Sequence, residues 1–273
     1  MRVDLHIHTT ASDGRWPPER VISEAQLRGL TLIAVADHDT VGSVRRCAEL
    51  ASDAGIRVLR GVEVSSALNG CLFHILGYGF DLDHPGLAKL LRENTEKLDR
   101  ADDSVIEGLV ARGFDIDLAE YAAYEYDRSR GGWKALNFLI DRGLCADVRD
   151  YLERVRPDRA VPPFPHPREV IGTIRQAGGA AIAAHSQAAM EGARVSEELF
   201  ERFLEWGVAG LECYHPNHDE AATALCLEWC ERKGLLITGG SDCHGGLVGR
   251  EMGVPQVVWA DLRLGDLERR VRR

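Results

Sequence analysis

Short apolar, β-branched runs alternate with longer stretches of helical periodicity along most of the chain. Val3–Ile7, Leu32–Ala36, Val58–Val64 and Leu72–Tyr78 predict four strands. Helices are predicted between them over Pro17–Gly29 and Val41–Ala54. The first has prolines at its start, Val21, Ile22, Ala25 and Leu27 inside, and a glycine stop. The rhythm breaks after residue 80. Leu87–Arg112 reads as a long charged amphipathic helix. Residues 115–165 are rich in Tyr, Arg and Asp, hold short helical segments such as Trp133–Asp141, and end in Pro162-Pro163-Phe164-Pro165. The rhythm then resumes. Helices are predicted over His166–Ala177, Ser196–Trp206 and Ala221–Lys233, and strands over Ala180–Ala184, Val208–Cys213 and Leu235–Gly239.

Strands that read as continuous apolar runs are buried on both faces, which points to a parallel α/β barrel of about seven strands. The barrel is expected over 1–84 and 166–273, with a helical insertion, or cap, over 85–165 after the fourth strand. A length of 273 residues suits one such barrel. Hydrophobic residues at 45% and charged residues at 28% are the proportions of a core-forming chain.

The formal charge of −10 changes the picture by disfavouring long nucleic acid, since so acidic a surface repels a polyanion. No apolar run approaches the ~18–20 residues that span a bilayer, and no signal segment is visible, so no membrane partner is expected. Seven scattered cysteines without a C-x-x-C pair read as reduced thiols in a cytoplasmic protein. Cys226 and Cys230, four apart on a predicted helix, read as buried thiols rather than metal ligands.

Histidines and acids gather where the strands end. The first strand runs into His6-Ile7-His8 and then Asp13-Gly14; the second ends in Asp37-His38-Asp39, and the third in Gly61-Val62-Glu63. The fourth carries His74, the next ends at Ala184-His185, and the last in Asp242-Cys243-His244. In a β/α barrel these ends share one mouth. Residues i and i+2 share a strand face, so His6 and His8 should point together while Ile7 points away, and Asp242 and His244 should converge while Cys243 turns outward. Imidazole and carboxylate ligands suit zinc, iron or manganese. Taken singly, a strand histidine is more often structural, the reading given to His84 and His166. Asp39 is read as a helix cap or a solvated group. Six strand ends converging on this chemistry are not explained that way.

The motifs Asp4-Leu5-His6-Ile7-His8-Thr9, Ser12-Asp13-Gly14, Asp37-His38-Asp39, Gly61-Val62-Glu63, His74, Ala184-His185 and Asp242-Cys243-His244 together resemble the polymerase-and-histidinol-phosphatase (PHP) family. The resemblance implies a distorted (β/α)7 barrel and a centre of two or three divalent ions (Mn, Fe or Zn). His6, His8, Glu63 and Asp242 would hold one ion. Glu63 would bridge to a second, also held by His74 and His185. Asp13, His38 and His244 would hold a third. One departure is visible: Ser186 follows His185 where family members often have proline.

Such a centre implies hydrolysis of a small phosphate ester, nucleotide-like or a phosphorylated or cyclic ribose phosphate, by a metal-activated hydroxide, with His38, Glu63, Asp242 and His215 as the catalytic candidates. Histidinol-phosphate phosphatase, exonuclease-type activity and a non-catalytic metal-binding domain are the alternatives. Arg128, Arg130 and Lys134, around Gly131-Gly132-Trp133, form a candidate phosphate clamp; a solvated turn paired with Asp127 and Asp141 fits the same residues equally well. His215 and His218 follow the sixth strand and should overlook the mouth, with Glu212 behind the ligands.

Overall fold

The computed structural model describes residues 1–155, 160–186 and 195–271. Eight strands form one sheet in the order β7-β6-β5-β4-β3-β2-β1-β8. They are β1 (Arg2–Ile7), β2 (Leu30–Val35), β3 (Arg57–Leu68), β4 (Cys71–Tyr78), β5 (Ala180–Ala183), β6 (Gly210–Tyr214), β7 (Leu236–Gly239) and β8 (Val257–Val258). The sheet curls until the segment after β7 meets β1, where Ile7 bridges Cys243 in parallel and His8 N–H donates to Cys243 O at 2.9 Å. The seven expected strands are all present within a few residues, so the barrel reading holds.

The expectation of an all-parallel sheet does not hold, because β4 runs antiparallel to both β3 and β5. The cause lies in two residues. Asn69 and Gly70 join Leu68 to Cys71 with φ of 52° and 78°, the two positive values a tight hairpin turn requires. Asn-Gly is the dipeptide that adopts them most readily. The short β8, antiparallel to β1, has too few residues to carry a periodic signal.

Helices α1 (Pro18–Leu27) and α2 (Val44–Ala54) cover β1–β3, while α7 (Pro167–Gln176), α8 (Glu197–Trp206) and α9 (Glu220–Lys233) cover the rest. Between β4 and β5 the chain runs through α3 (Pro85–Ala111), α4 (Leu118–Ala123), α5 (Lys134–Asp141) and α6 (Val148–Asp150). The first turns of α3 bury Leu87, Leu90 and Leu91 against Val170 and Ile174 of α7. Its last turns bury Ile106 and Leu109 in a separate core with Tyr121, Phe138, Leu139 and Tyr151. One helix thus ties the inserted segment to the barrel. Each such buried Leu or Ile contributes about 1.5–3 kcal/mol of transfer free energy.

The structure of β1 aims the site. Val3 and Leu5 pack among Leu32, Leu59, Leu76 and Ile182 inside the barrel, whereas Ile7 packs outward with Val21, Ile22 and Cys47 of the helices. Strict alternation would put all three on one face. The register explains the switch: Asp4 pairs with Ile33 and Ile7 with Val35, three steps against two. This bulge turns the inward face from odd to even positions, where His6 and His8 stand. Tyr78 Oη donates to the Leu5 carbonyl across the barrel at 2.6 Å.

Candidate metal centre

Two buried aspartates place the loops that carry the ligands. Asp37 accepts from Thr9 N–H (2.7 Å), Thr9 Oγ1 (2.8 Å) and Ser12 Oγ (2.6 Å), folding the loop after β1 so that Asp13 returns to the mouth. Asp4 accepts from Ser241 N–H (2.9 Å), Ser241 Oγ (2.6 Å) and Gly253 N–H (2.7 Å), which fixes the segment leading to Asp242. Gly240 passes so close to His6 that a Cβ there would lie 2.4 Å from its backbone nitrogen, so a larger residue would displace the histidine. Among the described residues, three of the four non-glycine residues with positive φ also stand here: Asp39 (49°), His185 (28°) and Asp242 (49°). Backbone held in this region costs about 1–3 kcal/mol per residue and gathers at functional sites.

All nine expected ligands meet at the C-terminal mouth. Glu63, 1% exposed, divides its two oxygens between two groups of histidines. Oε2 lies 3.2 Å from His6 Nε2, 3.3 Å from His8 Nε2 and 3.1 Å from His38 Nδ1. Oε1 lies 3.2 Å from His74 Nδ1 and 3.0 Å from His185 Nε2. Asp242 Oδ1 joins the first group, 3.0 Å from His8 Nε2 and 3.5 Å from His6 Nε2. Asp13 meets a third set: His244 Nε2 at 3.4 Å, His38 Nε2 at 4.0 Å and His8 Nδ1 at 3.7 Å.

The donor set fits metal ions. His6 Nε2, both ring nitrogens of His8, His38 Nδ1, Glu63 Oε2 and Asp242 Oδ1 are buried and make no well-aligned hydrogen bond although acceptors and donors crowd around them. Atoms so placed face common centres rather than one another's protons. Three groups have ligand atoms within 4.8 Å of each other: His6, His8, Glu63 and Asp242; His38, Glu63 and His74; and His8, Asp13, His38 and His244. His8 and His38 each belong to two groups, but a neutral imidazole has one lone pair and serves one ion. His185, outside these three groups, stands beside the second, its Nε2 3.0 Å from Glu63 Oε1.

Hydrogen bonds at Nδ1 orient two of the histidines. His6 Nδ1 donates to Glu212 Oε1 at 2.8 Å, and His244 Nδ1 donates to the Asp242 carbonyl at 2.8 Å, leaving both Nε2 lone pairs toward the centre. The protonation states of Glu63, Asp13, His8, His38 and His185 also suit ligands. Burial alone would raise Glu63, but His74, His6 and His38 hold it well below its ordinary range; Asp13 is depressed by His244 and His38 against the same penalty. Burial pushes His8 down to about 4 and keeps His38 and His185 below their ordinary value. His6 goes the other way: burial opposes its charge, yet Glu212 and Glu63 raise it to about 10, so an ion bound at Nε2 would have to displace a proton there. Ionised carboxylates and neutral imidazoles are the ligating forms.

The remaining candidates divide. His215 is buried, with Nε2 3.2 Å from Asp242 Oδ2; Nδ1 accepts from Asn217 N–H at 3.1 Å, so the proton sits on Nε2 and is given to Asp242. His218 is one ring further out, 5.6 Å from the His215 ring, with Nδ1 donating to Cys213 O at 3.1 Å. Arg130 forms a two-pronged ion pair with Asp141 (2.8 and 2.7 Å). Lys134 Nζ donates to Ala122 O at 2.9 Å, and Arg128 lies over the Tyr126 ring at 5.5 Å. Their turn still reaches the centre through its backbone: Gly132 N–H donates to Asp13 O at 2.7 Å, and Arg130 O accepts from Arg15 Nε at 3.0 Å.

Asp39 requires correction. It is 1% exposed, neither a helix cap nor solvated, and its Oδ1 accepts from Ser65 N–H (3.0 Å) and Asn94 Nδ2 (2.7 Å). His84 and His166 are structural as expected, capping α3 and α7 by accepting from Leu87 and Arg168 N–H. Cys226 and Cys230 are buried free thiols. Arg250 was not anticipated: Nη1 contacts Asp242 Oδ2, and 12% of its side chain is exposed. A single arginine in a glycine-rich loop carries no periodic or motif signal.

Comparison with known proteins places this geometry. The PHP domain model matches residues 4–156. A phosphoribosyl 1,2-cyclic phosphate 1,2-diphosphodiesterase of Eggerthella lenta is 30% identical over 89% of this chain and 94% of its own. A 3′,5′-nucleoside bisphosphate phosphatase of Chromobacterium violaceum is 30% identical over 92% and 90%. A 5′-3′ exoribonuclease of Haemophilus influenzae is 27% identical over 89% and 90%. Among solved structures, a Bifidobacterium adolescentis protein assigned as a metal-dependent phosphoesterase superposes with a TM-score of 0.80 at 25% identity, covering 98% of this chain and 94% of its own. By sequence and by fold, the chain belongs to the PHP domain family.

Proposed function

We propose that the protein is a metal-dependent phosphoesterase that hydrolyses a small phosphorylated metabolite, either nucleotide-like or a phosphorylated or cyclic ribose phosphate. The observation that carries this reading is the division of Glu63 between two groups of histidines, beside a third group around Asp13. Two or three divalent ions (Mn, Fe or Zn) held there would supply Lewis acidity toward phosphoryl oxygens and a nucleophile at neutral pH.

The chain's own residues prepare that chemistry. Glu63 spans the first and second groups, Asp242 joins the first, and His38 joins the third. His215 gives its Nε2 proton to Asp242 Oδ2, which makes it a positioning residue for that carboxylate rather than an acid toward the leaving oxygen. His218 and the insertion residues Arg128, Arg130 and Lys134 are the candidates for a ribose or a second phosphate, with Arg130 exchanging Asp141 for substrate.

The two relatives at 30% identity act on small phosphorylated compounds by name, which supports this substrate class. The exoribonuclease relative supports a second reading, a short RNA 5′ end, against which a net charge of −10 weighs. A kinetic panel decides between them: 3′,5′-bisphosphates, cyclic ribose phosphates, mononucleotides, histidinol phosphate and a 5′-phosphorylated oligoribonucleotide, each with protein reconstituted with Mn, Fe or Zn. Turnover of a small ester well above the oligoribonucleotide supports the proposal. Silence across the panel would leave a non-catalytic metal-binding domain.

A further inference from the structure

We propose that the Gly131-Gly132 turn of the insertion sets how tightly the third ligand group, around Asp13, holds its ion; this deepens the reading of the metal centre and rests on it. Among the described residues, Asp13 and His244 are the members of that group that belong to neither of the others. The loop carrying Asp13 is gripped on its near side by Asp37, through Thr9 and Ser12. On its far side the insertion takes over. Gly132 N–H donates to Asp13 O at 2.7 Å and Arg15 Nε to Arg130 O at 3.0 Å, while Arg15 N–H donates to His244 O at 3.1 Å. The turn therefore touches Asp13 directly and His244 through one intervening residue.

The turn itself is held in place. Both glycines are buried, with φ of 71° and 72°, a region that residues with a Cβ rarely adopt. Asn137 Nδ2 donates to the Gly131 carbonyl at 2.8 Å and Tyr126 Oη to the Gly132 carbonyl at 3.0 Å, which ties the turn back to the insertion. Leu136, packed beside Gly132, belongs to the insertion's own core. A Cβ on Gly131 would lie 2.9 Å from Asp13 O and 2.7 Å from Arg15 Cγ, so the residue there decides how closely turn and loop approach. Docking of the insertion does not by itself require contact at a ligand, since α3 already joins it to the barrel through Leu87, Leu90 and Leu91. The Asp13 side chain is 20% exposed, against 1% for Glu63 and 4% for Asp242. It is the least enclosed of the three acids, and its position depends most on how its backbone is held.

The test titrates metal-stripped wild type and four variants with Mn by calorimetry and counts bound metal by elemental analysis. Asp13→Asn removes a ligand of the third group and so marks which equivalent belongs there. Gly131→Ala is expected to weaken that equivalent roughly ten- to a hundredfold, the usual effect of disturbing what stands behind a ligand, and to leave the others at wild-type affinity. Arg15→Ala adds no atom and removes one hydrogen bond to the turn, so it should weaken the same equivalent by a smaller factor; where Gly131→Ala fails to fold, Arg15→Ala decides alone. Gly143→Ala controls for backbone strain. Gly143, elsewhere in the insertion, also has a positive φ (67°), but nothing lies within 4 Å of its Cβ position among the described residues, and Mn binding should match wild type. An unchanged third equivalent in the deciding variant would overturn the proposal. So would its loss from Gly143→Ala, or equal weakening of every equivalent in Gly131→Ala, either of which would make the turn a support for the fold as a whole. Equal Mn binding by wild type and Asp13→Asn would show that the third group holds no ion; that failure of the metal-centre reading removes the proposal with it, and is seen in those two proteins before the turn is altered.

Discussion

Glu212 holds His6 from behind. Its Oε1 accepts from His6 Nδ1 at 2.8 Å, while Oε2 accepts the backbone N–H of His185 at 2.8 Å. One carboxylate thus orients a histidine of the first ligand group and the loop that carries a histidine of the second. Burial would raise its pKa, but His6, with His215 and His185, pushes it down to about 2, so it stays ionised. Glu212→Gln keeps the shape and loses the charge. Metal affinity is expected to fall about ten- to a hundredfold, the usual effect of removing a carboxylate behind a ligating histidine. Titration of metal-stripped protein with Mn or Zn measures it, and unchanged affinity would remove Glu212 from the centre.

Glu63 presents one oxygen to each of two histidine groups, so its charge is needed twice. Glu63→Gln should leave the fold intact by circular dichroism while turnover drops by orders of magnitude and bound metal decreases. Near-normal turnover in the presence of saturating metal would show that Glu63 is not a ligand.

The Asp39–Asn94 contact links the insertion to the loop that carries His38. Asn94 Nδ2 donates both to Asp39 Oδ1 (2.7 Å) and to the Ser65 carbonyl (2.9 Å), in a fully buried position on α3. Asn94→Ala removes two donors and leaves a buried carboxylate with fewer partners. The expected loss is about 1–3 kcal/mol of unfolding free energy, read from the urea midpoint. A midpoint unchanged within error would mean that the contact does not hold the insertion in place.

The barrel was legible because its strands are apolar runs of the right length separated by helical periodicity, and the ligand cluster because its histidines and acids recur on successive strands or in the loops just after them, although Glu63 and His74 stand in mid-strand. Other features were not, for identifiable reasons. The antiparallel β4 follows from Asn69-Gly70, a signal that was present but outweighed by the alternating strand–helix rhythm around it. The bulge in β1 leaves no trace in residue type, since Val3, Leu5 and Ile7 are all apolar whichever face they occupy. Asp4 and Asp37 sit within the recognised motifs, yet their work is hydrogen bonding to backbone far away in sequence, as between Asp4 and Ser241. Arg130 and Asp141 appear in the sequence as one of two equal readings, and the ion pair between them is what the fold forms. Arg250 reaches Asp242 only by the path of an irregular loop, which no periodicity encodes.

The account stands on a centre with more than one ion, and elemental analysis of gently purified protein tests that most directly. Three ligand groups, with Glu63 shared between two of them, predict two to three equivalents of Mn, Fe or Zn per chain. Removing the metal with a chelator should abolish phosphate-ester hydrolysis, and restoring it should bring the activity back. A firm value of one equivalent or less in fully active protein would contradict the multinuclear centre.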